Sequence, residues 1–334
     1  MDIKEIIFTK LNTAEFLDGE YREPHDNEVL VKTIYTAVSC GTEKATITAK
    51  TSAYDDGKFP RDPGYSGVGT VLKKGKNVVN VDVGDRVVVI GPHRNYITIK
   101  DSLVIKIPFD EISSKEAAFS YISCFPMAAL RKVKLEAGES LGVIGLGILG
   151  IISVMLARTM GAYPVIGVDP VEERREMALR MGADYVFDPT EPDFVDKVKA
   201  VTDGGLNTAI EVTGIGKGLE QVLDCMQRFG RISLLGCTRN PDFTIDYYKK
   251  IHIPGITIVG ASTAARPDFE SRPGFWTYQD DVLAVLKLLH GKRISFEEFT
   301  KVVSDPRDAK DIYTRLINDP HFPIATIFKW NDAE

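Results

Sequence analysis

From Leu141 onward the apolar and polar positions switch regularly between two periods. LGVI (141–144) is a short apolar run that reads as a buried strand, and the apolar stretch from Ile148 is long enough for a helix. The alternation continues with helix 148–160, strand 163–168, helix 171–181, strand 184–187, helix 191–202, strand 207–212, helix 216–228 and strands 230–236 and 256–260. Strands alternating with helices predict a parallel sheet with crossover helices, binding its ligand at the carboxyl ends of the strands. The front of the chain has another rhythm. Short strands at 29–34, 67–72 and 104–107, and a strand–turn–strand over 77–89, are punctuated by Gly and Pro and predict a small barrel or partly open β domain. Ser113 to Glu116 reads as a capped helix start, and 127–133 as a second helical piece. After Gly260 come an Arg-, Pro- and Gly-rich loop (264–276), an amphipathic helix (280–290) with Val282, Val285, Leu286 and Leu289 on one face, a strand at 299–304, a helix at 306–317 and a strand at 324–329. This tail is too short for a domain and is expected to return to the front one.

The turn between the first apolar strand and helix carries Gly145, Leu146, Gly147, Ile148, Leu149 and Gly150, in the spacing G-x-G-x-x-G. The first glycine permits the turn, the second lets backbone approach a pyrophosphate, and the third allows close helix–strand packing. The following helix would offer its first amides and dipole to the phosphates. Asp169 ends the next strand about twenty residues on, where a carboxylate accepts the adenosine ribose hydroxyls. It can also cap the helix that starts after Pro170. An acid there repels a 2′-phosphate, so NAD is favoured over NADP; Arg174 and Arg175 keep NADP open, or line the cofactor edge.

Length and charge narrow the class. A chain of 334 residues suggests two domains, and 44% hydrophobic with 26% charged residues is ordinary for a globular protein. A net charge of −6 argues against a nucleic-acid partner. MDIKEIIF has no apolar signal region and no stretch is long enough to span a membrane, which predicts a cytoplasmic chain. Cys40, Cys124, Cys225 and Cys237 form no C-x-x-C pair, so neither a zinc ribbon nor a disulfide framework is indicated.

Six stretches together carry a resemblance: Cys40-Gly41-Thr42-Glu43, Pro63 to Gly69 (PGYSGVG), Val83 to Val87 (VGDRV), the glycine turn, Glu211-Val212-Thr213-Gly214, and Gly230 to Gly236. In this order and spacing the chain resembles the medium-chain dehydrogenase/reductase superfamily over essentially its whole length. The resemblance implies an α/β fold: a Rossmann doubly wound parallel sheet plus a GroES-like β-rich catalytic domain. It divides the chain into a catalytic domain over 1–120, an NAD-binding domain over 121–262 and a C-terminal return over 263–334. It adds Thr213, Gly236 and Cys124 to the cofactor contacts. It also implies a homo-oligomer, a dimer or a tetramer of dimers, through the edge strand near 256–260.

In zinc-dependent members a cysteine and a histidine of the two front motifs ligate a catalytic zinc. Here Cys40 is in place, but Tyr65 and Ser66 stand at the histidine and glutamate positions, and Ser120 or a neighbour at the third. Three protein ligands are not supplied. The four-cysteine lobe of the structural zinc is also missing. The chain is thus most similar to the zinc-less branch containing bacteriochlorophyllide a dehydrogenase, and neither a catalytic nor a structural zinc is expected. A two-cysteine site from Cys40 and Cys124 is the alternative.

Without a metal, another group must meet the substrate oxygen. Tyr65 is the first candidate for proton transfer, with Lys44 as a helper; its other reading is filler of the vacated pocket. Thr42 matches the relay hydroxyl or is a turn hydroxyl. Cys40 completes the catalytic candidates, although a small buried hydrophobe is its ordinary reading. Ser66, His93, Arg94 and Trp276 are assigned to the substrate pocket, Arg94 as a holder of carboxylate or phosphate, or else as part of a solvated loop. The leading function is NAD-dependent, zinc-independent hydride transfer to or from an alcohol or ketone, with a polyol or sugar derivative among the candidate substrates. The alternatives are an enoyl or quinone reductase, and a catalytically degenerate NAD-binding sensor or subunit.

Overall fold

The computed structural model describes residues 1–50, 58–237 and 243–331. The chain forms two compact units: one takes the described residues up to Ile122 and from Val282 onward, the other those between Ser123 and Asp281.

The first unit opens with β1 (Ile3–Lys10) and β2 (Thr13–Gly19), an antiparallel pair that the sequence pattern did not reveal. There follow β3 (Glu28–Ala37), α1 (Cys40–Ile47), β4 (Gly67–Lys74), β5 (Arg86–Val89), β6 (Tyr96–Lys100), β7 (Val104–Lys106) and α2 (Ser114–Ala117), then α3 (Ser120–Lys132). Ser113 caps α2 by accepting the Glu116 amide at 3.2 Å, as the Ser–Glu spacing predicts. Of the strand–turn–strand expected over 77–89, the turn falls at Gly84 (φ +92°) and the strand after it is β5, but the strand before it does not form: Val78 and Val81 enter the core beside Val29, Val71 and Val87 without joining a ladder.

The second unit is built as predicted. β8 (Leu141–Ile144), α4 (Ile148–Thr159), β9 (Val165–Val168), α5 (Glu172–Arg180), β10 (Tyr185–Phe187), α6 (Phe194–Val201), β11 (Leu206–Glu211), α7 (Gly216–Cys225), β12 (Met226–Leu234) and β13 (Thr257–Gly260) succeed one another. The six strands pair in parallel in the order β10-β9-β8-β11-β12-β13, the order of a doubly wound dinucleotide fold. β13 is an edge. β8 and β9 are buried throughout, which explains why they read as unbroken apolar runs.

After α8 (Tyr278–His290) come β14 (Val303–Ser304), α9 (Ala309–Asn318) and β15 (Ile327–Lys329). β15 pairs antiparallel with β3, so the tail completes the sheet of the first unit. The strand expected at 299–304 shrinks to two residues, because 297–300 close into a 3₁₀ turn. α9 buries Ala309, Tyr313 and Leu316 against Ile6, Phe8, Val38, Ile47 and Phe328.

Candidate functional site

In the second unit the glycine turn does what its spacing requires. Gly145 has φ +97°, open mainly to glycine, and a Cβ on Gly150 would lie 1.9 Å from the Gly145 carbonyl oxygen. A Cβ on Gly147 would meet nothing within 4 Å, so the backbone there faces open space. Gly147 is the N-cap of α4 and supplies no side-chain cap. The first amides of that helix are thus left for an anion, as in a dinucleotide cradle. Asp169 at the end of β9 is 3% exposed; its carboxylate accepts the amides of Leu146 at 2.8 Å and Val171 at 2.9 Å. Asp169 is not the helix cap expected of it: the N-cap of α5 is Val171, without a side-chain cap bond, and Asp169 instead ties the Val171 amide ahead of the helix to the glycine turn. Arg174 pairs with Asp169 at 3.6 Å.

Thr213 packs against the turn, since a Cβ on Gly145 would meet its Cγ2 at 2.8 Å. Its hydroxyl is committed to the carboxylate of Glu211, which also accepts the amides of Thr213 and Gly214. Burial raises Glu211 above the usual carboxylate range, and those bonds oppose the rise. Gly236 is tight against this turn: a Cβ would come within 2.3 Å of the Gly214 amide. These residues fit a dinucleotide. Cys124 is fully buried, and burial pushes its thiol well up, so it is held protonated; its carbonyl accepts Arg266. Trp276, assigned to the substrate pocket, has the Arg131 guanidinium 3.6 Å from its ring centroid.

In the first unit Tyr65, Thr42, Glu43 and Gly64 line a cavity of about 480 Å³. Tyr65 is half-buried, with its hydroxyl 2.5 Å from Ser39 Oγ and its ring edge-on to Tyr121 at 5.9 Å. Thr42 is half-exposed; its carbonyl accepts the Thr46 hydroxyl. Lys44 is exposed and does not line the cavity. Ser66 is buried and donates to the Ala118 carbonyl at 2.6 Å. Cys40 is half-buried, and its Sγ lies 3.6–3.9 Å from the carbonyls of Val38, Pro323 and Ile324.

Two pocket assignments are corrected. His93 is 0% exposed, between Thr36 Oγ1 at 2.6 Å and Glu43 Oε2 at 3.2 Å. Arg94 is bound to Glu5 at 2.7 Å and Asp62 at 3.0 Å. The shortened loop turns His93 inward under Gly64, where a Cβ would strike its ring at 2.7 Å. Sequence reasoning missed Ser39, whose partner is 26 residues away. Glu43 of the front motif also gathers Tyr313 from α9.

The zinc-binding dehydrogenase family model matches residues 149–272, and the alcohol dehydrogenase GroES-like domain model residues 25–108. This chain belongs to the medium-chain dehydrogenase/reductase superfamily. It is 30% identical to L-threonine 3-dehydrogenase of Pyrococcus horikoshii over 276 residues, covering 74% of this chain and 79% of that one. It is 26% identical to D-guloside 3-dehydrogenase of Escherichia coli over 291 residues, covering 80% and 83%. Benzyl alcohol dehydrogenase from Acinetobacter calcoaceticus shares the fold with a TM-score of 0.83 at 20% identity, over 98% of this chain and 99% of that one. The superfamily member is an alcohol dehydrogenase-like oxidoreductase.

The family overturns one expectation. Its members are zinc-binding dehydrogenases that normally hold zinc, so the absence of a catalytic and a structural zinc does not stand as a conclusion. The donor set itself does not fit a three-ligand site. Among the described residues no group of three His, Cys, Asp or Glu side chains could hold a metal ion, and Ser120, at or near the third ligand position, is a buried hydroxyl with no partner.

Proposed function

We propose that this chain interconverts a secondary alcohol and its ketone with a nicotinamide dinucleotide, and that Tyr65 moves the proton of the substrate oxygen. The parallel-sheet unit is read as the nucleotide-binding part and the β-rich unit as the catalytic part. Gly145, Gly147 and the first turn of α4 would hold the pyrophosphate, Asp169 the adenosine ribose, and Thr213 and Gly236 the neighbouring wall. When bound, the dinucleotide supplies the hydride acceptor or donor. The protein's own work is then at oxygen. The observation that carries the reading is the Tyr65 hydroxyl, at the cavity wall and already hydrogen-bonded to Ser39 at 2.5 Å. A phenol so placed can give a proton to the substrate oxygen or, as phenolate, take one from it. The D-guloside and threonine relatives support a polar secondary alcohol as the substrate class.

The test is the NADH absorbance band, read with NAD and a panel of secondary alcohols, polyols and sugar glycosides. Reduction of NAD by at least one is expected, and silence across the panel would sink the reading. Running it with a strong chelator asks the zinc question directly. Tyr65→Phe should lower kcat at least about tenfold; unchanged turnover leaves the ring as packing.

Cofactor choice is tested separately. Asp169 puts a negative charge where NADP carries its 2′-phosphate. Asp169→Gly should therefore weaken NADH by about tenfold or more while changing NADPH far less. Equal weakening of both in fluorescence titrations would refute the ribose assignment.

A further inference from the structure

Ser39 is the N-cap residue of α1, where a serine hydroxyl ordinarily accepts an amide of the first turn. Here it makes no cap bond. The backbone at this position is secured another way: the Ser39 amide donates to Glu43 Oε1 at 2.7 Å. The hydroxyl is thereby released from the helix. It is buried, with Ser39 2% exposed, and it faces the Tyr65 hydroxyl at 2.5 Å. The Tyr65 ring is held against Tyr121 at an interplanar angle of 76°. The phenol is thus fixed at its ring by one contact and at its oxygen by another.

We propose that Ser39 is a positioning residue for proton transfer at Tyr65. It accepts the phenol's hydrogen bond at rest and turns its own O–H onto the phenolate once the proton has left. The inference rests on the reading of Tyr65 given above. In the ketone-reducing direction the Oη–H bond of Tyr65 breaks and an O–H bond forms on the substrate oxygen. The electron pair stays on Tyr65 Oη, which then accepts the Ser39 hydroxyl, and water later restores the proton. A hydroxyl can make this exchange because it is both donor and acceptor. The bond it makes to the phenolate is charge-assisted and stronger than the resting one. The gain falls on the transition state rather than on substrate binding, so it appears in kcat and not in KM.

Ser39→Ala is the test, in the full chain. The near-ultraviolet phenolate band of Tyr65 is isolated by subtracting the Tyr65→Phe spectrum during a pH titration. It should appear about one pH unit later in Ser39→Ala, since a unit corresponds to one lost hydrogen bond of ordinary strength. With NAD and the best alcohol of the panel, kcat should fall about tenfold with KM little changed. Ser39→Thr keeps the hydroxyl and should restore both. If the alanine variant does not fold, Ser39→Cys fills the space with a weak donor and gives the same reading. An unmoved phenolate titration overturns the proposal, as does an unchanged kcat in Ser39→Ala when Tyr65→Phe is impaired. An active Tyr65→Phe enzyme instead overturns the parent reading, whatever Ser39 does.

Discussion

Asp281→Ala should lower the melting midpoint of the second unit by on the order of 10 °C, from a loss of about 3–5 kcal/mol. Asp281 is 0% exposed and lies between two arginines, 3.0 Å from Arg131 Nε and 2.7 Å from Arg266 Nη1. Both cations are themselves packed. Arg131 lies over Trp276 at 3.6 Å, and Arg266 sits 4.5 Å over Tyr278 while donating to the Cys124 carbonyl. Removing the carboxylate leaves two guanidinium groups facing one another, and Arg266 is only 4% exposed at its side chain. Water cannot easily replace the lost charge. Arg266 Nε already has no partner, so the cluster has no spare acceptor. A third cation registers the same field: burial and Arg266 both hold Lys132 below the usual lysine range. The assembled cluster is not a large stabiliser in itself, because burial pushes the Asp281 carboxyl up against the pull of the arginines. The combined variant Arg131→Met, Asp281→Leu, Arg266→Met should therefore regain much of what Asp281→Ala loses. Thermal unfolding by circular dichroism decides. A midpoint within about 2 °C of the native value in Asp281→Ala would show that the arginines find other partners.

What the sequence revealed and concealed follows from the range of each interaction. The second unit was legible because its signals are local. Buried parallel strands are unbroken apolar runs, and Gly145 and Gly150 are demanded within the turn itself, one by its positive φ and the other by its approach to the Gly145 carbonyl. The first unit was less so. Val79, Val81 and Val83 alternate like a strand, yet Val79 and Val83 are exposed, and Val78 and Val81, three residues apart, are the two that enter the core. α3 continues through Pro126, where the sequence suggested separate pieces. The candidate site depends on longer reach still. Tyr65 was picked out by its position in a motif, but its partner Ser39 carried no local mark. His93 and Arg94 looked like pocket residues because they follow a shortened loop; their acids, Glu43 and Glu5 with Asp62, lie far away in the chain.

Glu43→Ala should be the most damaging single change in the first unit. The Glu43 carboxylate is 2% exposed and accepts the Ser39 amide at 2.7 Å, the Tyr313 hydroxyl at 2.5 Å and His93 Nε2 at 3.2 Å. Burial and the charge of Glu43 hold Tyr313 well above the usual phenol range, so it remains a donor. The Trp330 indole N–H donates to Thr36 Oγ1 at 2.9 Å, and the Thr36 hydroxyl lies 2.6 Å from His93 Nδ1. Alanine removes the one acceptor that three buried donors share. Each orphaned donor costs about 1–3 kcal/mol, and the three together on the order of 4 kcal/mol, because they relax jointly. Glu43→Gln keeps the shape and one acceptor oxygen but turns an amide N–H₂ towards a donor, so its loss should be smaller. Tyr313→Phe removes a donor and leaves the carboxylate with two others, which should cost about 1 kcal/mol. The expected order of stability is therefore Tyr313→Phe above Glu43→Gln above Glu43→Ala, read by denaturant unfolding. A Tyr313→Phe protein as unstable as Glu43→Ala would refute the acceptor argument and assign the effect to packing of α9. The order also reaches the chemistry. Glu43 holds the Ser39 backbone, so Glu43→Gln should lose turnover with secondary alcohols while remaining folded, whereas Tyr313→Phe, which does not touch Ser39, should keep it.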